Sequence, residues 1–212
     1  PVMTDVGAGS AADYELLDKW RAGEDGAGQE LFARHFDSIY GFFETKCESD
    51  ADELVQATFL ACLRAKEQFR KESSFRTYLF TIARNELYRV LRARQRDGQR
   101  LNFELSSIAE LVSTPGTRLG RNQEHQRLVQ AMRSLPVDQQ TLLELHYWEE
   151  LEIGDLAEVF DAPAVTIRTR LHRARKALRD VMLKTEGATL GKALESLESM
   201  DVWAKNATRA LR

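Results

Sequence analysis

The sequence predicts an all-α protein of two small helical domains joined by a flexible linker, with a helical tail at the C-terminus. Apolar residues recur at steps of three and four through most of the chain, and the alternating pattern of strands is nearly absent. This periodicity fades at about residues 97–122, where glycines and a Pro-Gly pair interrupt it. We therefore place the first domain at residues 12–96, the linker at 97–122, the second domain at 123–182 and the tail at 183–212.

The first domain is predicted to contain four helices, at residues 14–21, 29–45, 50–65 and 75–96. Residues 1–12, PVMTDVGAGSAA, have the composition of a disordered start. Asp50 and Glu53 have the spacing of a capping box at the third helix, and Ser73 or Ser74 can cap the fourth. The apolar faces of the second and third helices are Leu31, Phe32, Phe36, Ile39, Tyr40 and Phe43, then Leu54, Val55, Phe59, Leu60 and Leu63.

The second domain is predicted to have four helices, the last two forming a helix-turn-helix. Helices at 123–134 and 137–148 precede a short amphipathic segment, LEIGDLAEVF, the turn DAP and the basic segment AVTIRTRLHRARKAL. A single apolar stripe runs along that basic segment and consists of Ile167, Leu171, Ala174, Leu178 and Val181. A helix, a short turn and a basic helix is the arrangement whose second helix enters the major groove of DNA.

The polar faces of this last helix are basic and almost free of acids. Thr169, His172, Arg173 and Lys176 lie opposite the apolar stripe at about 100° per residue. The flanks carry Thr166, Arg168, Arg170 and Arg175. A solvated surface helix is the ordinary alternative for such a pattern. Residues 138–161, however, hold eight acids and no Lys or Arg, and this segregation of charge favours a surface built for a polyanion.

A second basic zone lies in the first domain, although the whole chain of 212 residues has a net charge of −3. Residues 64–100 contain eleven Lys and Arg against four acids, with aromatic residues between them. Aromatic rings that stack on unpaired bases, next to cations that follow phosphates, are typical of single-strand binding. We expect Phe75, Leu79 and Phe80 to belong to the core instead.

Several functions are disfavoured by what the sequence lacks. Cys47 and Cys62 have no CxxC spacing and no paired histidine, so we expect reduced structural thiols, no metal and no cofactor. The four histidines are scattered, and neither a nucleophile elbow nor a glycine-rich phosphate loop is present, so we do not expect an enzyme. No apolar run reaches the roughly 20 residues needed to span a bilayer, and the expected location is the cytoplasm.

Three strings together resemble a known family. DADELVQATFL and FRKESSFRTYLFTIARN lie in the first half, and LPVDQQTLLELHYWEELEIGDLAEVFDAPAVTIRTRLHRARKAL lies in the second. They are similar to bacterial extracytoplasmic-function (ECF) sigma factors, the smallest group of the sigma-70 family, over about residues 27–97 and 123–181. The resemblance implies that the first domain is sigma region 2 and the second is sigma region 4. It also implies a factor that binds core RNA polymerase, directs it to promoter DNA and is often held inactive by an anti-sigma factor.

The resemblance also implies roles for individual residues. The helix that docks on the polymerase clamp coiled coil matches Asp52, Glu53, Gln56 and Leu60, although simple helix capping also explains the two acids; region 4 docks on the polymerase flap. In the −10 surface, Phe69 and Asn85 correspond to the wall and the amide of a flipped-base pocket, and Arg76, Tyr78, Arg84 and Tyr88 complete the set. The positions that read the −35 element are Arg168, Thr169, His172 and Arg173, and those better placed for phosphates are Thr166, Arg170, Arg175 and Lys176.

Two other functions compete with this interpretation. A conventional helix-turn-helix regulator that dimerises on a palindrome accounts for the second half but leaves the strings of the first half without a role. A helical adaptor that has lost DNA binding is disfavoured by the arginines of the last helix. The tail has its own apolar repeat, which predicts either a docking helix or an extra core helix: Leu190, Leu194, Leu197, Ala204, Ala207 and Leu211.

Overall fold

A computed structural model of the chain describes residues 6–94, 101–112 and 123–186. Within these ranges the secondary structure is helical and contains no strand, which confirms the all-α prediction. The helices are α1 Val6–Arg21, α2 Asp25–Cys47, α3 Ala51–Ala65, α4 Phe75–Arg94, α5 Ile108–Leu111, α6 Gln123–Arg133, α7 Val137–Tyr147, α8 Ile153–Val159 and α9 Ala164–Glu186.

The first domain consists of α1 to α4, and α1 begins earlier than predicted. The expected disordered start is wrong over residues 6–12, because the helix already begins at Val6. Three alanines in that stretch have the highest helix propensity and offset its two glycines. Further along α1, Leu17 and Trp20 are buried, and Trp20 lies so close to α2 that a Cβ on Gly28 would come within 2.5 Å of its Nε1.

The predicted cap of α3 does not form, whereas that of α4 does. Asp50 makes no side-chain capping hydrogen bond, and its ψ of 8° departs from the extended backbone usual at this position. Its carboxylate instead accepts hydrogen bonds from Arg94 and, at 2.9 Å, from the hydroxyl of Ser49. The Ser74 hydroxyl accepts from the backbone N–H of Thr77 at 3.0 Å, as predicted for the start of α4.

The core of the first domain follows the predicted faces with three exceptions. Phe75, Leu79 and Phe80 of α4 are fully buried, as expected. Leu60 and Leu63 of α3 are instead 43% and 44% exposed, and Phe36 of α2 is 42% exposed. On α3, the stripe that packs against α2 and α4 is narrower than the predicted apolar face, so Leu60 and Leu63 lie outside it. The buried residues of this stripe are Leu54, Val55, Thr58 and Cys62.

The second domain, α6 to α9, has the predicted helix-turn-helix in α8 and α9. The residues of the apolar stripe on α9 are buried at Ile167, Leu171, Ala174 and Leu178. Val181 is only half-buried, and Met182 takes the next core position. α9 continues to Glu186, whereas the repeat predicted for the tail, Leu190 to Leu211, lies outside the described residues.

The described part of the predicted linker is ordered and packs between the two domains. α5 begins with a capping box, in which the Ser107 hydroxyl accepts from the Glu110 N–H and the Glu110 carboxylate accepts from the Ser107 N–H. The backbone N–H groups of Val137 and Asp138 donate to the carbonyls of Ser106 and Phe103 at 2.9 and 3.1 Å. Buried side chains of both domains form one continuous cluster, with α4 packed against α8.

Candidate nucleic-acid and polymerase interfaces

The outer face of α9 presents a row of polar side chains to solvent. Because the apolar stripe fixes the rotation of the helix, residues opposite the stripe point away from the domain core. Thr166 is half-buried at the start of the helix, while the residues exposed along the outer face are Arg168, Thr169, His172, Arg173 and Lys176. Arginine and threonine side chains in this position can address base edges and phosphates. The geometry therefore gives the predicted −35 residues the exposure that they need.

Two of the predicted phosphate contacts already have partners within the chain. The Arg170 guanidinium donates to the Glu104 carboxylate of the linker at 2.8 Å. Arg175 donates to the hydroxyl of Tyr147 at 2.6 Å and lies 3.5 Å from Nε2 of His146. These contacts hold Arg170 and Arg175 against the flank of the domain, and no pattern in the sequence indicates them.

The six residues predicted for the −10 surface do not share a single face. On α4, Tyr78 and Asn85 lie about two turns apart on one side, since seven residues nearly complete two turns. Phe69, in the preceding loop, stacks on Tyr78 with ring centroids 4.5 Å apart. The other three residues lie on the side of α4 that faces the second domain: Arg76, Arg84 and Tyr88.

The loop before α4 is held in place by α1, which sequence reasoning missed. Arg21 donates to the carbonyls of Lys66 at 3.0 Å and Phe69 at 2.6 Å, and Tyr14 donates to the carbonyl of Ser73 at 2.8 Å. Phe69 is only 7% exposed, whereas Asn85 is exposed. The predicted pocket wall is therefore packed among aromatic rings, and the predicted hydrogen-bonding amide is open to solvent.

The domain-facing side of α4 is engaged by acids and carbonyls of the second domain. Arg76 donates to the backbone carbonyl of Glu149 at 2.6 Å and pairs with its carboxylate. Arg84 donates to the carbonyl of Val159 at 3.3 Å. Tyr88 donates to the Asp138 carboxylate, and burial raises the pKa of its phenol, so that it remains a protonated donor.

The predicted polymerase-binding residues lie together on the exposed side of α3. Asp52, Glu53, Gln56 and Leu60 are all exposed. Next to them is an apolar surface patch that we define as Phe32, Phe36, Tyr40, Phe59, Leu60 and Leu63. Within this patch Phe32 and Phe59 stack with centroids 4.5 Å apart, and Phe36 and Tyr40 lie 6.0 Å apart. Exposed apolar area of this kind, rimmed by acids, is typical of a protein-binding surface.

Neither a metal site nor a membrane span is found among the described residues. They contain no group of His, Cys, Asp and Glu arranged to hold a metal ion. Cys47 and Cys62 are both buried as free thiols, and burial raises the pKa of each. In the described part of the chain, no helix combines the length and the apolar character that crossing a bilayer requires.

A helix-turn-helix domain joined to a helical domain with a basic and aromatic helix defines a DNA-binding transcription factor. The family model described as sigma-70 region 2 matches residues 31–97, and that described as sigma-70 region 4 matches residues 125–178. Together the two regions cover more than half of the chain. The protein belongs to the sigma-70 family, in its extracytoplasmic-function group, and is an RNA polymerase sigma factor.

Curated relatives agree with this assignment, and solved structures share the fold. The chain is 27% identical over 179 residues to the ECF RNA polymerase sigma-E factor of Haemophilus influenzae, covering 79% of this chain and 94% of that protein. The sigma-E factor of Escherichia coli K12 is 27% identical over 175 residues, covering 78% and 92%. CnrH in complex with the cytosolic domain of CnrY shares the fold, with a TM-score of 0.63, 22% identity and coverage of 82% and 99%. The sigma factor RpoE in complex with the anti-sigma factor NepR from Bartonella quintana also shares it, with a TM-score of 0.58, 24% identity and coverage of 74% and 97%.

Proposed function

We propose that this sigma factor uses three separate surfaces to bring core RNA polymerase to promoters. The exposed side of α3 binds the polymerase clamp, α4 and the loop before it bind the −10 element as a single strand, and the outer face of α9 reads the −35 element. Region 4 also docks on the polymerase flap. In this scheme the protein has no catalytic group of its own and works in the cytoplasm, where the polymerase acts.

The observation that carries the proposal is the exposure of the α9 side chains. Arg168 and Arg173 point to solvent from a helix whose opposite side is locked into the core by Ile167 and Leu171. Such a helix enters a major groove without rearranging its own domain. A guanidinium that reaches a guanine edge in that groove makes a bidentate contact. We assign base reading to Arg168, Thr169, His172 and Arg173, and phosphate contacts to Thr166, Arg170, Arg175 and Lys176.

The role proposed for α3 is supported by its mixture of acidic and apolar side chains. Asp52 and Glu53 stand in the first turn, where carboxylates also suit the positive end of the helix dipole. Gln56 and Leu60 continue the same exposed side and connect it to the apolar surface patch. A coiled-coil partner offers apolar and basic positions that complement such a surface.

An inhibitory partner is the remaining element of the proposal. One of the related structures is a complex of the sigma factor RpoE with the anti-sigma factor NepR. We propose that an anti-sigma factor likewise binds this chain and competes with polymerase. Expression of the tagged chain in its native host, followed by mass spectrometry of the proteins that remain bound in high salt, tests this part. Recovery of polymerase subunits alone contradicts it.

The central test is transcription from a randomised promoter library with core polymerase and the purified factor. Arg173→Ala should relax the preference at one −35 position, since loss of a bidentate base contact is worth about 1–3 kcal/mol. Arg175→Ala should weaken all promoters alike and reduce the salt dependence. Lys184→Ala, an exposed cation farther along α9, serves as the control. If the Arg173→Ala and Lys184→Ala libraries have the same sequence preferences, the assignment of base reading is wrong.

A further inference from the structure

The two domains pack against each other along part of the proposed −10 surface. This interface covers one side of α4, and the residues that it covers include two arginines and a tyrosine beside the apolar side chains. Arg76 forms an ion pair with Glu149. Arg84 donates a hydrogen bond to the carbonyl of Val159, and Tyr88 donates one to the Asp138 carboxylate. These three residues of α4 are half of the set that we propose for the −10 element.

The chemistry of the covering groups resembles that of a single DNA strand. The Glu149 and Asp138 carboxylates occupy the guanidinium of Arg76 and the hydroxyl of Tyr88, where a strand offers phosphate oxygens. Aromatic rings also lie against Arg84 and Tyr88, and bases make contacts of the same kind with arginine and aromatic side chains. The Arg84 guanidinium lies 4.6 Å from the centroid of Phe160, and Phe103 of the linker lies 4.0 Å from the centroid of Tyr88.

Further contacts extend this cover and explain its placement. Thr77 follows Arg76 in α4, and its hydroxyl donates to the Asp155 carboxylate at 2.8 Å. Asp138 is held on both sides, because its backbone N–H also donates to the carbonyl of Phe103. The acids of residues 138–161, which have no Lys or Arg among them, thus include the partners of the basic zone in the first domain.

We infer that the acidic side of the second domain, together with Phe103, acts in the free protein as an internal substitute for the −10 strand and blocks that half of the −10 surface. The inference rests on the proposed −10 roles of Arg76, Arg84 and Tyr88. Single-stranded DNA and the second domain then compete for the same side of α4. Productive promoter opening requires the domains to separate first.

The other two surfaces remain accessible in this closed arrangement. Gln56 and Leu60 on α3 are exposed, and so are Arg168 and Arg173 on α9. Polymerase can therefore dock before the domains separate, whereas the −10 strand cannot engage all of its residues until afterwards. Arg76 keeps 29% of its side chain exposed, and ion pairs that are partly open to water are weak, so this contact can be released. Separation of the domains must also open the buried ion pair between Lys46 of α2 and Glu144 of α7.

The test removes the covering charges without touching α4. We compare the full-length protein with the double variant Glu149→Gln/Asp138→Asn and with the control Glu150→Gln/Glu158→Gln, which removes the same charge from exposed acids. Anisotropy measures binding of a fluorescein-labelled pool of short single-stranded DNA of randomised sequence. If closed molecules outnumber open ones by about ten to one, release should tighten apparent binding by about tenfold. The control should bind as the unmodified protein does.

Small-angle X-ray scattering of the free proteins distinguishes the possible failures. A larger radius of gyration and tighter DNA binding in the covering-charge variant support the inference. Tighter binding at an unchanged radius overturns domain separation as its cause. An unchanged radius and unchanged binding overturn the block while leaving the −10 assignment standing. A larger radius with unchanged binding overturns the −10 roles of the covered residues and, with them, the inference. If the double variant does not fold, as judged by circular dichroism, Phe103→Ala in the linker is measured by the same criteria.

Discussion

Lys46 and Glu144 form an ion pair across the two domains, and only 0% and 2% of their side-chain surfaces are exposed. Lys46 belongs to α2 and also donates to the carbonyl of Phe42 at 2.8 Å. Glu144 belongs to α7 and accepts from the Gln140 amide at 2.8 Å. Burial lowers the pKa of Lys46, and the neighbouring carboxylate opposes that shift. The charges remain buried together because each satisfies the other.

Removing one member of this pair should destabilise the protein strongly. Lys46→Met leaves the Glu144 carboxylate buried without its cation, and we expect a loss of about 3–5 kcal/mol in the free energy of unfolding. Lys46→Met/Glu144→Leu should recover most of the loss, because no charge then stays behind. Urea unfolding measures both. Lys19→Met removes an exposed pair with Glu15 and should leave the free energy of unfolding almost unchanged, because surface ion pairs contribute little. Equal effects at Lys46 and Lys19 contradict this prediction.

Polymerase binding should depend on the exposed side of α3. We expect Gln56→Ala/Leu60→Ala to weaken binding to core polymerase at least tenfold, which corresponds to about 1.4 kcal/mol. Both side chains are exposed, so the helix content should not change. The matched control is Gln68→Ala/Leu105→Ala, an exposed glutamine and an exposed leucine away from this side of α3. Surface-immobilised polymerase gives the affinities, and undiminished binding of the first variant refutes the assignment.

Asn85 should matter for promoter opening rather than for initial binding. Its amide is exposed on the side of α4 that the second domain leaves open, so Asn85→Ala should preserve the fold. We expect slower formation of the open complex on duplex promoters and near-normal activity on a pre-melted template, because extruding a base costs a few kcal/mol. Arg89→Ala, one turn farther along α4, is the control. A defect of equal size on both templates points to a structural role.

Alkaline pH should destabilise the protein through Cys62. Burial raises the pKa of this thiol to about 12, against 9.0 for the free group. Between these values the native state holds a proton that the unfolded chain has released, so the free energy of unfolding falls as pH rises above 9. The fall is at most about 1.4 kcal/mol per pH unit. Below pH 9 this contribution is fully present.

Urea unfolding of the unmodified protein and of Cys62→Ala, on both sides of pH 9, measures the effect. Above pH 9 the free energy of unfolding should fall more with each pH unit in the unmodified protein than in Cys62→Ala. The raised pKa of Tyr88 makes the free energy of unfolding fall as pH rises, and the lowered pKa of Lys46 makes it rise. Both residues are present in the two proteins, so their contributions cancel when the two pH dependences are compared. Identical slopes show that the thiol does not contribute.

The repeat pattern of α9 predicted its environment well, because a helix with one apolar stripe has one stable orientation. Ile167, Leu171, Ala174 and Leu178 are buried, and the residues opposite them are exposed. The same reasoning was wrong for Leu60 and Leu63. A periodic pattern shows on which side of a helix the apolar residues lie. It does not show how much of that side the neighbouring helices cover.

The contacts between the domains were beyond the reach of the sequence. Arg76 and Glu149 are 73 residues apart, and neither lies in a pattern that specifies its partner. The segregation of acids into residues 138–161 signalled an unusual surface without identifying what it meets. Long-range pairing of this kind depends on how whole domains pack, and local periodicity carries no information about it.

The contact between Arg170 and Glu104 affects how salt should influence DNA binding. Cations that bind phosphates release the counterions condensed on DNA, and the slope of log affinity against log salt concentration reports how many phosphates are neutralised. Arg170 is already neutralised by a carboxylate of its own chain at 2.8 Å. Its transfer to a phosphate leaves Glu104 to attract a cation from solution, which partly offsets the counterion released from DNA. The affinity of this factor for DNA should therefore fall less steeply with salt concentration than a count of the basic residues of α9 predicts. In Glu104→Gln the fall should be steeper.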